Sequence, residues 1–170
     1  MKHIVTIIST LILLLAPTLS DAAERFVSFK SGDLKLNGKG KISIYVDAND
    51  CKGVSIAANT LASDINKVCG AETTTTTMTD AEIIVGTIGH SAEIDKMVKS
   101  NAIDKAALKG KREKYIITTI GGKVVIAGSD RRGTIYGIYE LSRQIGVSPW
   151  YYWADTPIER HESIYINKGV

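Results

Sequence analysis

Residues 115–146 constrain this chain more tightly than any other stretch. Tyr115 to Ile120 and Lys123 to Ala127 are two strand-like runs separated by Gly121-Gly122. Two glycines between such runs predict a tight hairpin, because the favoured two-residue turns need positive φ at both positions. The second run leads into Gly128-Ser129-Asp130-Arg131-Arg132-Gly133, where Ser129 or Asp130 can cap a following helix. Ile135, Ile138, Tyr139, Leu141 and Ile145 recur at helical spacing as its apolar side, and Gly146 ends it. Gly133 and Gly137, four apart, open one face of this helix to close approach by another backbone.

Upstream, strands and helices alternate. Phe26 to Phe29 is a short strand candidate inside a polar lead-in, and Ile42 to Val46 alternates apolar and polar as a half-buried strand does. Val54, Ala57, Ala58, Leu61, Ile65 and Val68 then make one helical stripe over about residues 53–69, with Asn49 or Asp50 as cap and Gly70 as stop. Thr73 to Thr77 is five threonines, too β-branched for helix and too polar for a core, hence an exposed loop or a sheet edge. Residues 82–86 are a short buried strand, and Ser91 can cap a helix carrying Ile94, Met97 and Val98. Pro149 bars helix and predicts an extended segment over Trp150 to Trp153, and Ser163 to Ile166 is a last short strand. This order predicts an α/β (α+β) fold, a small mixed sheet with packed helices.

The first stretch is of another kind. Lys2 precedes an apolar run from Ile4 to Leu15, and Ser20-Asp21-Ala22 offers small residues at a cleavage site, so residues 1–22 read as a secretory signal peptide. The apolar run is shorter than the ~20 residues of a spanning helix, so no membrane attachment is expected after cleavage. Cleavage leaves about 150 residues, one domain's worth and too few for a complete (β/α)8 barrel. With 44% apolar and 23% charged residues the composition is that of a globular protein, and a net charge of +3 spread along the chain excludes a nucleic-acid footprint. Export permits disulfides, but Cys51 and Cys69 flank the predicted helix and are ~24 Å apart along it, so they are not expected to pair.

Few residues suggest chemistry. Gly128 to Gly133 follows a strand and opens a helix, where backbone N–H groups attract anions, and Asp130, Arg131 and Arg132 are candidate substrate contacts there. The other reading of this loop is a capped strand-to-helix turn. It is neither a P-loop nor a dinucleotide fingerprint. The run Trp150-Tyr151-Tyr152-Trp153 suits either a carbohydrate platform or, preferentially, packing against a neighbouring domain through Trp150, Tyr152 and Trp153. His90 and His161 have no metal spacing with each other or with the acids, so no metal site is expected. Asp130, Glu140, Asp155 and Glu159 are acids that sequence alone does not pair, and no catalytic residue is assigned.

The continuous stretch from Val125 through Tyr139, with Leu141-Ser142, Ile145 to Trp150 and Trp153-Ala154-Asp155, resembles the N-terminal region of glycoside hydrolase family 115, the xylan α-1,2-glucuronidases. A fainter likeness takes in Gly53-Val54, Ala58, Leu61, Asp64 and residues 107–111. The resemblance implies a non-catalytic α/β domain like the one preceding the barrel in hexosaminidase-type glycosidases. It implies an exported parent that removes (4-O-methyl)-glucuronic acid from xylan by inverting hydrolysis without a cofactor. On this reading residues 23–160 are the N-terminal domain, and residues 161–170 begin a linker toward a (β/α)8 barrel in cis that carries the catalytic acids. Glucuronoxylan or its oligosaccharides would then be the parent's partner, and the present chain would be inactive by itself. The competing expectation is a free-standing exported carbohydrate-binding or interaction module.

Overall fold

The computed structural model describes residues 25–151 and 153–167. The segment expected to be a signal peptide, Tyr152 and the last three residues of the expected linker lie outside the described residues. The strands are β1 (Val27–Ser28), β2 (Leu34–Lys35), β3 (Lys41–Val46), β4 (Glu72–Thr76), β5 (Ile83–Thr87), β6 (Tyr115–Ile120), β7 (Lys123–Gly128) and β8 (Tyr165–Ile166). The helices are α1 (Lys52–Cys69), α2 (Ala92–Lys99), α3 (Lys105–Leu108) and α4 (Arg131–Gln144).

Five strands form the main sheet in the order β4-β3-β5-β7-β6. The neighbours β4, β3, β5 and β7 are parallel, and β6 closes one edge antiparallel to β7. Both faces are covered, so buried strands carry apolar side chains in both directions. Ile42, Ile44, Val46, Ile83, Val85, Val124 and Ile126 point into one core with α1 and α4, whereas Tyr45, Ile84, Val125 and Ala127 point into another with Ile94, Val98, Ile103 and Leu108. A fully buried isoleucine or leucine contributes ~1.5–3 kcal/mol, and both cores are built of such residues. The expected α/β fold is therefore present, as a three-layer sandwich.

The glycine signals hold, but two expected caps do not: α1 starts from Cys51 and not from Asn49 or Asp50, and Ser91 precedes α2 without a side-chain cap bond. Gly121 and Gly122 both have positive φ, 58° and 75°, and the hairpin register runs from Ile120↔Lys123 outward. Gly70 ends α1 in the left-handed conformation. The threonine run is the edge strand β4. Cys51 and Cys69 are free, at opposite ends of α1. A Cβ on Gly133 would meet the Lys114 carbonyl, and one on Gly137 would lie 2.7 Å from Ile126, so the glycine face of α4 lies against the β6–β7 hairpin.

Other expectations need correcting. A second sheet, ordered β1-β8-β2, exists because β8 pairs antiparallel with both early strands. Of its three strands, β1 and β8 fall within the expected strands at Phe26 to Phe29 and Ser163 to Ile166, whereas β2, two residues in a polar lead-in, carries too little periodicity to announce itself. Residues 161–167, read above as the start of a linker, hold β8, with Ile164 and Ile166 buried and His161 stacked on Phe29 at 3.5 Å. The extended segment expected after Pro149 is not observed: Trp150 O accepts from Trp153 N at 2.9 Å and from Ala154 N at 2.8 Å, as in a turn. Pro149 excludes helix but is equally at home in a turn, so it did not require the extended segment expected there. Tyr139 is exposed, and Ile135 only half-buried, on the outer flank of α4. A short helix that the sequence did not suggest, α3, follows α2 and is capped by Asp104.

Candidate functional site

In open α/β sheets ligands bind beyond the carboxyl ends of the strands, at the point where the strand order reverses. Here that point lies between β3, whose chain continues to β4 on one side, and β5, whose chain continues to β7 on the other. Three aspartates sit at this end. Asp47 and Asp50 follow β3, and Asp130 follows β7.

All six of their carboxylate oxygens accept a backbone N–H. Asp47 Oδ1 accepts from Asn49 N at 2.9 Å and Oδ2 from Ala92 N at 2.9 Å, which ties β3 to the start of α2. The Tyr45 hydroxyl also donates to Asp47 Oδ2 at 3.1 Å. Asp50 Oδ1 accepts from Cys51 N and Oδ2 from Thr87 N, both at 2.7 Å, which ties the start of α1 to the end of β5. Asp130 caps α4 through Gly133 N at 2.8 Å and holds the loop before β6 through Glu113 N at 2.8 Å. Next to them the Thr87 and Thr134 hydroxyls share a buried hydrogen bond of 2.8 Å, and Thr134 also donates to Asp130 O.

The electrostatics follow from these bonds. The N–H groups of Asn49 and Ala92 hold the Asp47 carboxyl below its ordinary range, and those of Glu113 and Gly133 do the same for Asp130. Burial, then the bond to Asp47, pushes Tyr45 up to about 12. Carboxylates so stabilised stay ionised and make poor proton donors. The chemistry of this edge is bracing: each aspartate joins two chain segments that are distant in sequence or differ in direction.

The expected contacts around Asp130 are placed as follows. Arg132 is exposed, pairs with Glu113 Oε1 at 3.0 Å and donates to the Tyr136 hydroxyl at 2.7 Å. Arg131 is also exposed, with its Cδ 3.8 Å from where a Cβ on Gly53 would stand. Asp130 and Arg132 thus share the loop before β6 through Glu113, whereas Arg131 faces the first turn of α1. Trp150 and Trp153 are 66% and 85% exposed on the turn after α4. Glu140 is paired with Arg143 on α4. Among the described residues no group of His, Cys, Asp and Glu side chains is placed to hold a metal ion.

Residues whose importance the sequence did not announce are Asp47, Asp50, Thr87 and Thr134. They lie in three separate places, the loop after β3, the end of β5 and the first turn of α4, and only Asp50 stood out, as a candidate helix cap. A second unannounced group lies away from the strand ends. Asp64 on α1 and Ser142 on α4 are 2% and 3% exposed, and Asp64 Oδ1 and Ser142 Oγ have no hydrogen-bond partner.

The comparisons with known proteins agree with this architecture. A family profile described as "Glycosyl hydrolase family 67 N-terminus" matches residues 25–141. The solved structure of BtGH115A, a family GH115 4-O-methyl-α-glucuronidase with specificity for decorated arabinogalactans, is similar at 38% identity and a TM-score of 0.68. That match covers 77% of this chain and 17% of BtGH115A. The structure of CpGH84D is similar in fold, with 12% identity and a TM-score of 0.54 over 84% of this chain and 22% of that one. The chain thus spans less than a quarter of the length of either structure. No curated protein matches it.

Proposed function

The chain belongs to the glycosyl hydrolase family 67 N-terminal domains, with a GH115-like fold, and from that premise we propose that it serves an exported α-glucuronidase as its non-catalytic first domain. The glycosidase association follows from the family. The proposed parent removes (4-O-methyl)-glucuronic acid by inverting hydrolysis, with its catalytic acid and base on a (β/α)8 barrel in cis. Such a pair stands ~6.5–9.5 Å apart with one member protonated. Asp47 and Asp130, whose backbone donors hold their carboxyls below the ordinary range, are poorly suited to be that protonated member.

The observation that carries this reading is the 38% identity to BtGH115A over 77% of this chain. Trp150 and Trp153, exposed on one turn, are the side chains we assign to the contact with the barrel. The apolar run with a small-residue cleavage site at residues 1–22 supports export.

Xylan is the proposed substrate of the parent, and the arabinogalactan specificity of BtGH115A makes decorated arabinogalactan the second reading. Sequencing the locus beyond codon 170 tests the architecture. An open frame continuing into barrel-like strands and helices is the expected result, and a stop codon there favours the free-standing module. The full product, assayed on glucuronoxylan and on glucuronic-acid-bearing arabinogalactan, should release uronic acid, whereas this chain alone should release none.

A further inference from the structure

Where α1 and α4 lie side by side on the outer layer, a cavity of about 180 Å³ opens between them. Its walls are Thr60 and Asp64 of α1, Tyr139 and Ser142 of α4, and residues 147–149. The two unpartnered polar groups of this seam, Asp64 Oδ1 and Ser142 Oγ, belong to its lining.

A buried carboxylate oxygen without a hydrogen-bond donor is costly, and so is a buried hydroxyl without a partner. Lys67 Nζ stands 3.7 Å from Asp64 Oδ1, close enough to balance its charge but too far for a hydrogen bond. The same ammonium lies over the Tyr151 ring, 4.7 Å from its centroid. Burial nevertheless pushes the Asp64 carboxyl up, against the pull of Ser142 and Lys67. The seam therefore wants hydrogen-bond donors and wants no net charge. Lys67 already compensates Asp64, so the pair as a whole carries no net charge to select either a cation or an anion. Val147, Pro149 and the exposed ring of Tyr139 give the opening an apolar side. A neutral group with hydroxyls on its edge and C–H on its face matches both halves. At ~30 Å³ per water, the space suits one sugar ring and not a chain.

We propose that the seam between α1 and α4 is a binding site for a single neutral pyranose unit, with Asp64 accepting from its hydroxyls, Ser142 completing the polar side and Tyr139 covering the apolar face. The choice of carbohydrate as the ligand class rests partly on the proposed glycosidase role. The site itself rests on the orphaned groups and the cavity.

The test is a titration of the ¹⁵N-labelled chain with xylotriose and, separately, with β-1,3-galactobiose, followed by two-dimensional NMR. Saturable shifts at Thr60, Asp64, Ser142 and Ser148 are expected with at least one of them. Asp64→Asn and Tyr139→Ala should each weaken binding about tenfold or more while leaving the spectrum folded. Tyr139 is exposed, so its variant keeps the test usable if Asp64→Asn perturbs the fold. No shift with either sugar, shifts confined to other residues, or equal affinity in both variants overturns the site, whose cavity then holds water only. Such a result leaves the first-domain reading intact, because that reading stands or falls on the frame beyond codon 170.

Discussion

The strand-end edge and the helix seam both bury aspartates, with opposite results. At the edge Asp47, Asp50 and Asp130 give every carboxylate oxygen a backbone N–H. In the seam Asp64 is more deeply buried than any of them and leaves an oxygen unsatisfied. Burial alone does not identify a functional carboxylate. What separates the two regions is whether the protein's own donors fill the lone pairs: where they do, the group braces the fold, and where they do not, it is left for something else.

The largest effect expected from breaking this contrast is at the edge. A Cβ on Gly128 would collide with the backbone N and hydroxyl of Thr134, and backbone at a helix start cannot step aside. Gly128→Ala should cost about 3 kcal/mol, at the upper end of overpacking penalties, seen as a lower urea midpoint. Asp50→Ala comes next. It strips the Thr87 N–H of its acceptor inside the fold and should cost about 2 kcal/mol in the same measurement. A cost no larger than that of a surface substitution would mean that the edge is not braced by its aspartates.

The smallest effect, and the sharpest, is in pH dependence. Asp64 has its carboxyl raised, so the native state holds that proton more tightly than the unfolded chain. Its contribution to stability is full below about pH 4 and is lost as pH rises through the raised native value. Asp130 is lowered, so its contribution is full above about pH 4 and is lost as pH falls through the depressed native value. Asp64→Asn should remove a decline on the rising side, and Asp130→Asn a decline on the falling side. Equal slopes in urea melts of the two variants from pH 2.5 to 7 would erase the distinction between the regions.

Much of the fold was legible because it depends on neighbours in sequence. The Gly121-Gly122 turn, the Gly70 stop and the threonine edge strand each follow from what one or two residues permit locally. The Trp150 to Trp153 turn was misread because proline and aromatics suit a turn as well as a strand. The site residues were hidden for another reason. Asp50 meets Thr87, Thr87 meets Thr134, and Asp64 shares a cavity with Ser142 only after the sheet has ordered its strands and placed α1 beside α4. No spacing rule along one element encodes such meetings. Asp130 was legible as a cap, and it caps α4 through Gly133 N.

The insertion of β8 between β1 and β2 has a consequence for how the molecule is made. Val27 pairs with Ile166, and Asn167 N donates to Phe26 O at 2.8 Å. The described polypeptide therefore enters and leaves at one spot, like a bead threaded through a single hole. During synthesis the five-stranded sheet has all its strands once residue 128 has emerged, while β1 and β2 wait unpaired for a strand nearly forty residues later. The small sheet cannot close until residues 165–166 have been made. Joining residues 25 and 167 by a short linker and opening the chain at Gly121-Gly122 should consequently give a permuted protein with the same core, assembled in a different order.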